Sequence, residues 1–275
     1  MNLNINGVNY YYEWLSDYEP NRQTLVCFHG FTGTSQTFAP VFQKENDINI
    51  LAIDLLGHGK TDCYVHPYRY QIECLCQDIA LLTERLGIVD FSLLGYSMGA
   101  RAALAFACLF PKKVQYLILE SGSPGLESKA ERMRRKNSDE YLAGSIMSHP
   151  IEAFVDKWEN LSLFDSQKRL PTKIKETLRN ERLSQRSFGL ACSLWFMGTG
   201  VQPSFWQALS DIKVPILLIV GELDVKFQKI AKKMKNNQPD VSIKIVCDTG
   251  HCVHLEKPEI FANLVHTFLF SYPNR

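Results

Sequence analysis

Three residue types that together activate a hydroxyl each follow an apolar, strand-like run in this chain. Ser97 lies in Gly95-Tyr96-Ser97-Met98-Gly99, a G-x-S-x-G pattern entered from "FSLL" and left through the small-residue run "ARAALAFA". Glycines on both sides let the backbone turn sharply between a strand and a helix, which lifts the serine hydroxyl out at the carboxyl end of a sheet. Asp224 comes just after "PILLIVG", and His251 stands in "CDTGHCVHLEKP" after the next strand-like run. Serine is a poor base and nucleophile at its own pKa. An imidazole has to take its proton, and a carboxylate has to hold the imidazole's tautomer and stabilise its charged form.

Other residues compete for these roles. His254 follows His251 by three positions, but the small "TGH" turn suits an exposed loop histidine, so His251 is the expected base. Glu222 shares the loop of Asp224, and Glu120 ends an earlier run. Asp224 is preferred because the acid belongs on the loop one strand before the histidine. "FHGFTG" (28–33) supplies a turn that presents a backbone N–H towards the serine, so the amides of Phe31 and Met98 are the expected oxyanion hole. His29 reads as structural. "GHGKT" (57–61) has the look of a phosphate loop, but Asp54 occupies the position where the first glycine would be required, and nucleotide binding is rejected.

Arg101 stands apart from its surroundings. It lies four residues past Ser97, about one helical turn on, at the head of an otherwise small and apolar helix. Burying a guanidinium there is costly without an anionic partner, which is either a bound carboxylate or an internal one such as Glu120.

These residues need a scaffold, and its rhythm is legible. Strand-like runs at 24–30, 48–59, 91–95 and 114–120 alternate with helical ones, among them 70–86, where Ile72, Leu75, Ile79, Leu82 and Leu86 form one stripe. The alternation stops at residue 121. Helix-favouring segments follow at 127–146, 150–159, 171–182 and 184–196, and the rhythm resumes at 214–224, 226–235, 242–251 and 258–270. The expected plan is α/β: a mostly parallel sheet flanked by helices, in two pieces (1–122 and 211–275), around a helical insertion (123–210). The charged runs at 127–137 and 229–235 read as solvated helix faces, notably for Arg132, Arg134 and Lys136.

Bulk properties narrow the partners. The chain has 275 residues, 45% of them apolar, and a formal charge of +1, which argues against nucleic acid or an anionic membrane as partner. The N-terminus lacks a signal peptide's basic and apolar regions, and no run approaches the ~20 apolar residues of a membrane span. Eight scattered cysteines without C-x-x-C, and seven histidines without ligand spacing, predict a reduced cytoplasmic protein with no metal and no cofactor. A monomer is the expected state.

Taken together, "GYSMGAR", "LESGSPGLESKAERMRRKNSD", "MGTGVQPSFW" and "GELDVKF" resemble one branch of the α/β-hydrolase superfamily, the 2-succinyl-6-hydroxy-2,4-cyclohexadiene-1-carboxylate (SHCHC) synthases of menaquinone biosynthesis. The resemblance runs from "HGF" to the C-terminal helix. It implies the α/β-hydrolase fold, with an eight-stranded sheet and a helical cap between strands 6 and 7. It also implies a lyase that eliminates pyruvate from a small tricarboxylate and forms no acyl-enzyme. The carboxylates call for cations, and the resemblance implies Arg101, Arg135 and Lys226 near the substrate, with Tyr96 and Trp158 as aromatics of the pocket. An ester or thioester hydrolase using the same Ser97, Asp224 and His251 is the competing expectation. A silent scaffold is disfavoured by the intact set.

Overall fold

In the computed structural model, which describes residues 1–43, 45–238 and 240–271, eight strands form one sheet in the order β1-β2-β4-β3-β5-β6-β7-β8. They are β1 (Asn2–Ile5), β2 (Val8–Trp14), β3 (Thr24–Phe28), β4 (Asn49–Ile53), β5 (Phe91–Tyr96), β6 (Val114–Glu120), β7 (Ile216–Gly221) and β8 (Val241–Val246). Pairing is antiparallel for β1 with β2 and for β2 with β4, and parallel from β4 through β8. Every residue of β3, β4, β5 and β7 is buried, as expected for parallel strands covered on both faces.

Alternate side chains feed two cores. Val26, Phe28, Leu93, Leu117 and Leu218 point to one face, and Leu25, Cys27, Leu94, Ile118 and Leu217 to the other. The helices are α1 (Ala39–Phe42), α2 (Ile72–Arg85), α3 (Met98–Leu109), α4 (Lys129–Ser148), α5 (Ile151–Trp158), α6 (Thr172–Leu183), α7 (Ser187–Met197), α8 (Val225–Asn237), α9 (Val253–Glu256) and α10 (Pro258–Phe270). Residues of α2, α3 and α8 pack on the first face, and residues of α1, α9 and α10 on the second.

The predicted stripe of α2 is buried at Ile72, Leu75, Ile79 and Leu82. Between β6 and β7 the described residues hold helices and no strand. Helices α4, α5 and α7 share a small core of Ala143, Ile146, Phe154, Val155, Leu190, Ala191 and Leu194. Helix α4 opens on a capping box: Ser128 accepts from the Glu131 amide, and the Glu131 carboxylate accepts from the Ser128 amide. The β1–β2 hairpin turns at Asn6 and Gly7, with φ of 51° and 81°, the positive pair that a tight Asn-Gly hairpin turn requires. No helix among the described residues is long and apolar enough to cross a membrane.

Candidate active site

The central strand β5 ends at Tyr96, and the chain turns into α3 through Ser97 with φ 50° and ψ −102°. Such a conformation costs a non-glycine residue about 1–3 kcal/mol and persists only where the surroundings enforce it. Two close approaches enforce it. A Cβ on Gly99 would lie 2.1 Å from the carbonyl oxygen of Phe28, and one on Gly95 would lie 2.3 Å from that of Gly99. Helix α3 therefore rests directly on β3 and on the end of β5, and its start is aimed at the carboxyl edge of the sheet. The Ser97 amide is tied to the Glu120 carbonyl at 2.9 Å.

His251 Nε2 is 3.0 Å from Ser97 Oγ, and its Nδ1 is 2.7 Å from Asp224 Oδ2. The carboxylate fixes the proton on Nδ1, which leaves Nε2 free to accept from the serine. Asp224 is itself held as the N-cap of α8, accepting from the Phe227 amide at 3.2 Å. Histidine and aspartate are both buried, and the imidazole is walled by Phe227, Tyr96 and Phe164. His251 is thus not the exposed loop histidine that its small turn suggested. Phe31 follows β3, and Met98 is the first residue of α3. Among the described residues neither of their amides has a hydrogen-bond acceptor, the condition an oxyanion hole requires.

A cavity of about 760 Å³ opens over Ser97. Phe31, Tyr96, Ser97, Met98, Arg101 and His251 line it from the sheet side, and Arg135 and Trp158 line it from the helices between β6 and β7. Lys226, at the start of α8, is also on its wall. All ten residues expected at the site are therefore brought together, with Asp224 directly behind His251. Arg101 donates to the Met197 carbonyl at 3.1 Å and to the Gln202 side-chain carbonyl, and among the described residues no carboxylate hydrogen-bonds it. Burial, and then the neighbouring charge of Arg135, push its pKa down to about 10 against the opposing charge of Asp139, so the guanidinium remains a cation at neutral pH. Glu120 is not its counter-charge: that carboxylate is occupied by His254, at 2.7 Å from Nδ1. Arg135 gives its Nε to Asp139 at 2.8 Å and is otherwise partly exposed. Trp158 packs against Phe31, Phe154 and Phe164 while facing the cavity, so its packing and pocket roles coincide.

Several features were not legible beforehand. The lysines of the run at 229–235 are exposed, as expected of a solvated face, but Lys229 and Lys233 also line the cavity and Lys233 pairs with Glu127 over the Trp206 ring. Arg182 is buried in a second cavity of about 610 Å³ that shares Phe31, Tyr96, Trp158 and Phe164 with the first. It donates to Gln167 at 3.2 Å, and among the described residues its Nε has no hydrogen-bond partner. His29 is structural as expected: its Nε2 accepts from the Leu55 amide at 3.0 Å. Glu45, Asp47 and His266 come within metal-ligating reach of one another away from the catalytic cavity, a grouping that spacing along the chain did not disclose.

Comparison with known proteins gives the family. A family model described as the alpha/beta hydrolase fold matches residues 23–258. A Bacillus subtilis protein named "Putative 2-succinyl-6-hydroxy-2,4-cyclohexadiene-1-carboxylate synthase" is 42% identical over 258 residues, which is 94% of each chain. The 2-succinyl-6-hydroxy-2,4-cyclohexadiene-1-carboxylate synthase of Yersinia enterocolitica is 32% identical over 89% of this chain and 86% of its own. The solved structure of MenH from S. aureus superposes with a TM-score of 0.89 at 36% identity, covering 95% of this chain and 98% of that one. The chain belongs to the α/β-hydrolase fold family and, within it, to the 2-succinyl-6-hydroxy-2,4-cyclohexadiene-1-carboxylate synthases.

Proposed function

We propose that this enzyme uses Ser97, His251 and Asp224 as a base on carbon. The reaction eliminates pyruvate from 2-succinyl-5-enolpyruvyl-6-hydroxy-3-cyclohexene-1-carboxylate and gives 2-succinyl-6-hydroxy-2,4-cyclohexadiene-1-carboxylate. Ser97, relayed by His251, takes the proton from the ring carbon that bears the succinyl carbonyl. The carbonyl oxygen gains charge against the Phe31 and Met98 amides, which serve an enolate as they would a tetrahedral oxyanion. The electron pair then moves through the ring double bond and breaks the ether C–O bond. The departing enol oxygen takes the proton back from His251, and the triad is reset. Nothing is oxidised or reduced, so the proposal includes no cofactor.

The observation that carries this reading is the pair of arginines beside an aligned triad. Among the described residues Arg101 hydrogen-bonds only neutral acceptors, and Arg135 lines the same cavity. One buried carboxylate, Asp139, serves both guanidinium groups and, among the described residues, hydrogen-bonds only Arg135, so the pair keeps net positive charge that suits a substrate bringing several carboxylates. Arg101, Tyr96, Ser97 and Met98 belong to the core pieces (1–122 and 211–275), and Arg135 and Trp158 to the insertion (123–210), which we take as a lid. Carboxylates gripped from both sides would draw the lid down and exclude water, a competing reactant for a lyase. The proposal extends to a small tricarboxylate as ligand, in the cytoplasm and on a monomer, with no nucleic-acid or membrane partner.

The test generates the substrate in situ and follows pyruvate with a coupled dehydrogenase. Wild type should release pyruvate rapidly. Ser97→Ala should lower kcat by at least about 10²-fold, the usual range for a lost acid–base group. Arg101→Ala should lower kcat/KM by about 10-fold or more, as for a lost hydrogen bond to a charged group. Hydrolysis of simple esters without pyruvate release would replace the lyase reading with that of a serine hydrolase.

A further inference from the structure

Behind the catalytic pair the fold buries a second imidazole–carboxylate pair that the chemistry above leaves unused. Glu120 ends β6, and its side chain accepts twice from one residue: from the His254 amide at 3.0 Å through Oε1, and from the His254 ring at 2.7 Å through Oε2. Its backbone carbonyl meanwhile accepts from the Ser97 amide at 2.9 Å. Glu120 is wholly buried, and His254 and Cys252 nearly so.

The need for this arrangement follows from local structure. Helix α9 begins two residues after His251, and its N-cap is Cys252, whose side chain makes no capping bond. The Cys252 thiol is instead 2.6 Å from the Tyr96 hydroxyl. The first turn of α9 therefore lacks an acceptor of its own, and a free N–H at a helix start must find one. Glu120 supplies it from the neighbouring strand. The same residue thus holds the start of α9, and with it His251, by its carboxylate, and holds the strained Ser97 by its carbonyl. Tyr96 fills the space between, with its ring 4.7 Å from that of His254 and 5.4 Å from that of His251.

We propose that Glu120 and His254 are positioning residues that set the contact between Ser97 and His251. Neither touches substrate in this assignment. It rests on the reading of Ser97, His251 and Asp224 as the working triad, though not on which reaction they catalyse. Loss of the clamp loosens the serine–imidazole contact while the arginines of the cavity stay in place, so turnover falls and substrate affinity does not.

The experiment compares Glu120→Gln, His254→Ala and His254→Asn with wild type in two measurements. One is kcat and KM for pyruvate release. The other is the rate at which a fluorophosphonate labels Ser97, which reads the triad whatever the natural substrate. Folded fraction is checked by circular dichroism and thermal midpoint. Glu120→Gln and His254→Ala should each lower kcat and the labelling rate about tenfold with KM within twofold. His254→Asn places an amide donor near the site of Nδ1, and it should restore both rates to within about twofold of wild type. Unchanged labelling in folded Glu120→Gln and His254→Ala would overturn the assignment, as would a loss confined to KM, or a failure of His254→Asn to rescue a folded protein. Labelling of wild type without pyruvate release would refute the lyase reading alone, and the labelling rates of the variants would still decide the clamp. A wild type that is not labelled at all would remove the triad reading and the clamp with it.

Discussion

At the scale of single residues, the two arginines of the cavity have different surroundings and should fail differently. Arg101 is anchored at its Nη1 by the Met197 carbonyl and Gln202, on the helix that starts at Ser97. Its fork is held close to the reacting centre. Arg135 stands on α4, with its Nε on Asp139 and nearly half of its side chain exposed. Arg135→Ala should therefore raise KM about tenfold or more and leave kcat within about threefold, because it removes binding that ground state and transition state share. Arg101→Lys should not restore what Arg101→Ala loses, since an ammonium is a point charge and cannot reproduce a planar two-point grip. Steady-state kinetics of pyruvate release decide both. Equal losses in kcat from either arginine would abolish the division of labour.

At the scale of elements, the turn between β5 and α3 carries the site, and its tolerance is set by glycine. Gly99→Ala would push a methyl into the Phe28 carbonyl, a backbone atom that cannot swing away. We expect a loss of about 3 kcal/mol, the upper end for overpacking, read from the urea midpoint, together with misalignment of Ser97. An alanine variant as stable as wild type would show that α3 can shift off β3 at little cost. This turn was legible because the chemistry demands small residues at fixed offsets, and the same holds for Asp224 and His251 behind their strands. The β1–β2 hairpin went unread although Asn6-Gly7 is a strong turn signal, because its flanking strands are short and half polar. The Glu120–His254 clamp joins residues 134 apart, and nothing local to either one announces the other. Arg182 is hidden differently. It is the one buried residue of α6, a helix so polar that its sequence reads as solvated throughout. Periodicity reports a face, and a single buried charge makes no face.

At the scale of the whole molecule, the charge is nearly balanced, 30 lysines and arginines against 29 acids, so the chain as a whole exerts little pull on an anion. The cavity is different. Its wall carries Arg101, Arg135, Lys226, Lys229 and Lys233 against Glu127 and Glu131. One sign of charge gathered in a cleft with low-dielectric walls focuses the field there and raises the encounter rate with an oppositely charged substrate. That attraction is local and only partly buried, so salt should weaken it: the screening length falls from about 10 Å at 0.1 M to about 3 Å at 1 M. For the tricarboxylate, kcat/KM should drop by roughly tenfold between 0.05 and 0.5 M sodium chloride, while kcat changes less than about twofold, because the bound substrate is shielded from the added ions. A neutral aryl ester supplies the control. Its kcat/KM, if it turns over, should stay flat across the same range, since it has no charge to steer. An equal decline for both would mean that salt disturbs the lid or the triad and not the approach of the anion, and the basic wall would then be a feature of stability and not of capture.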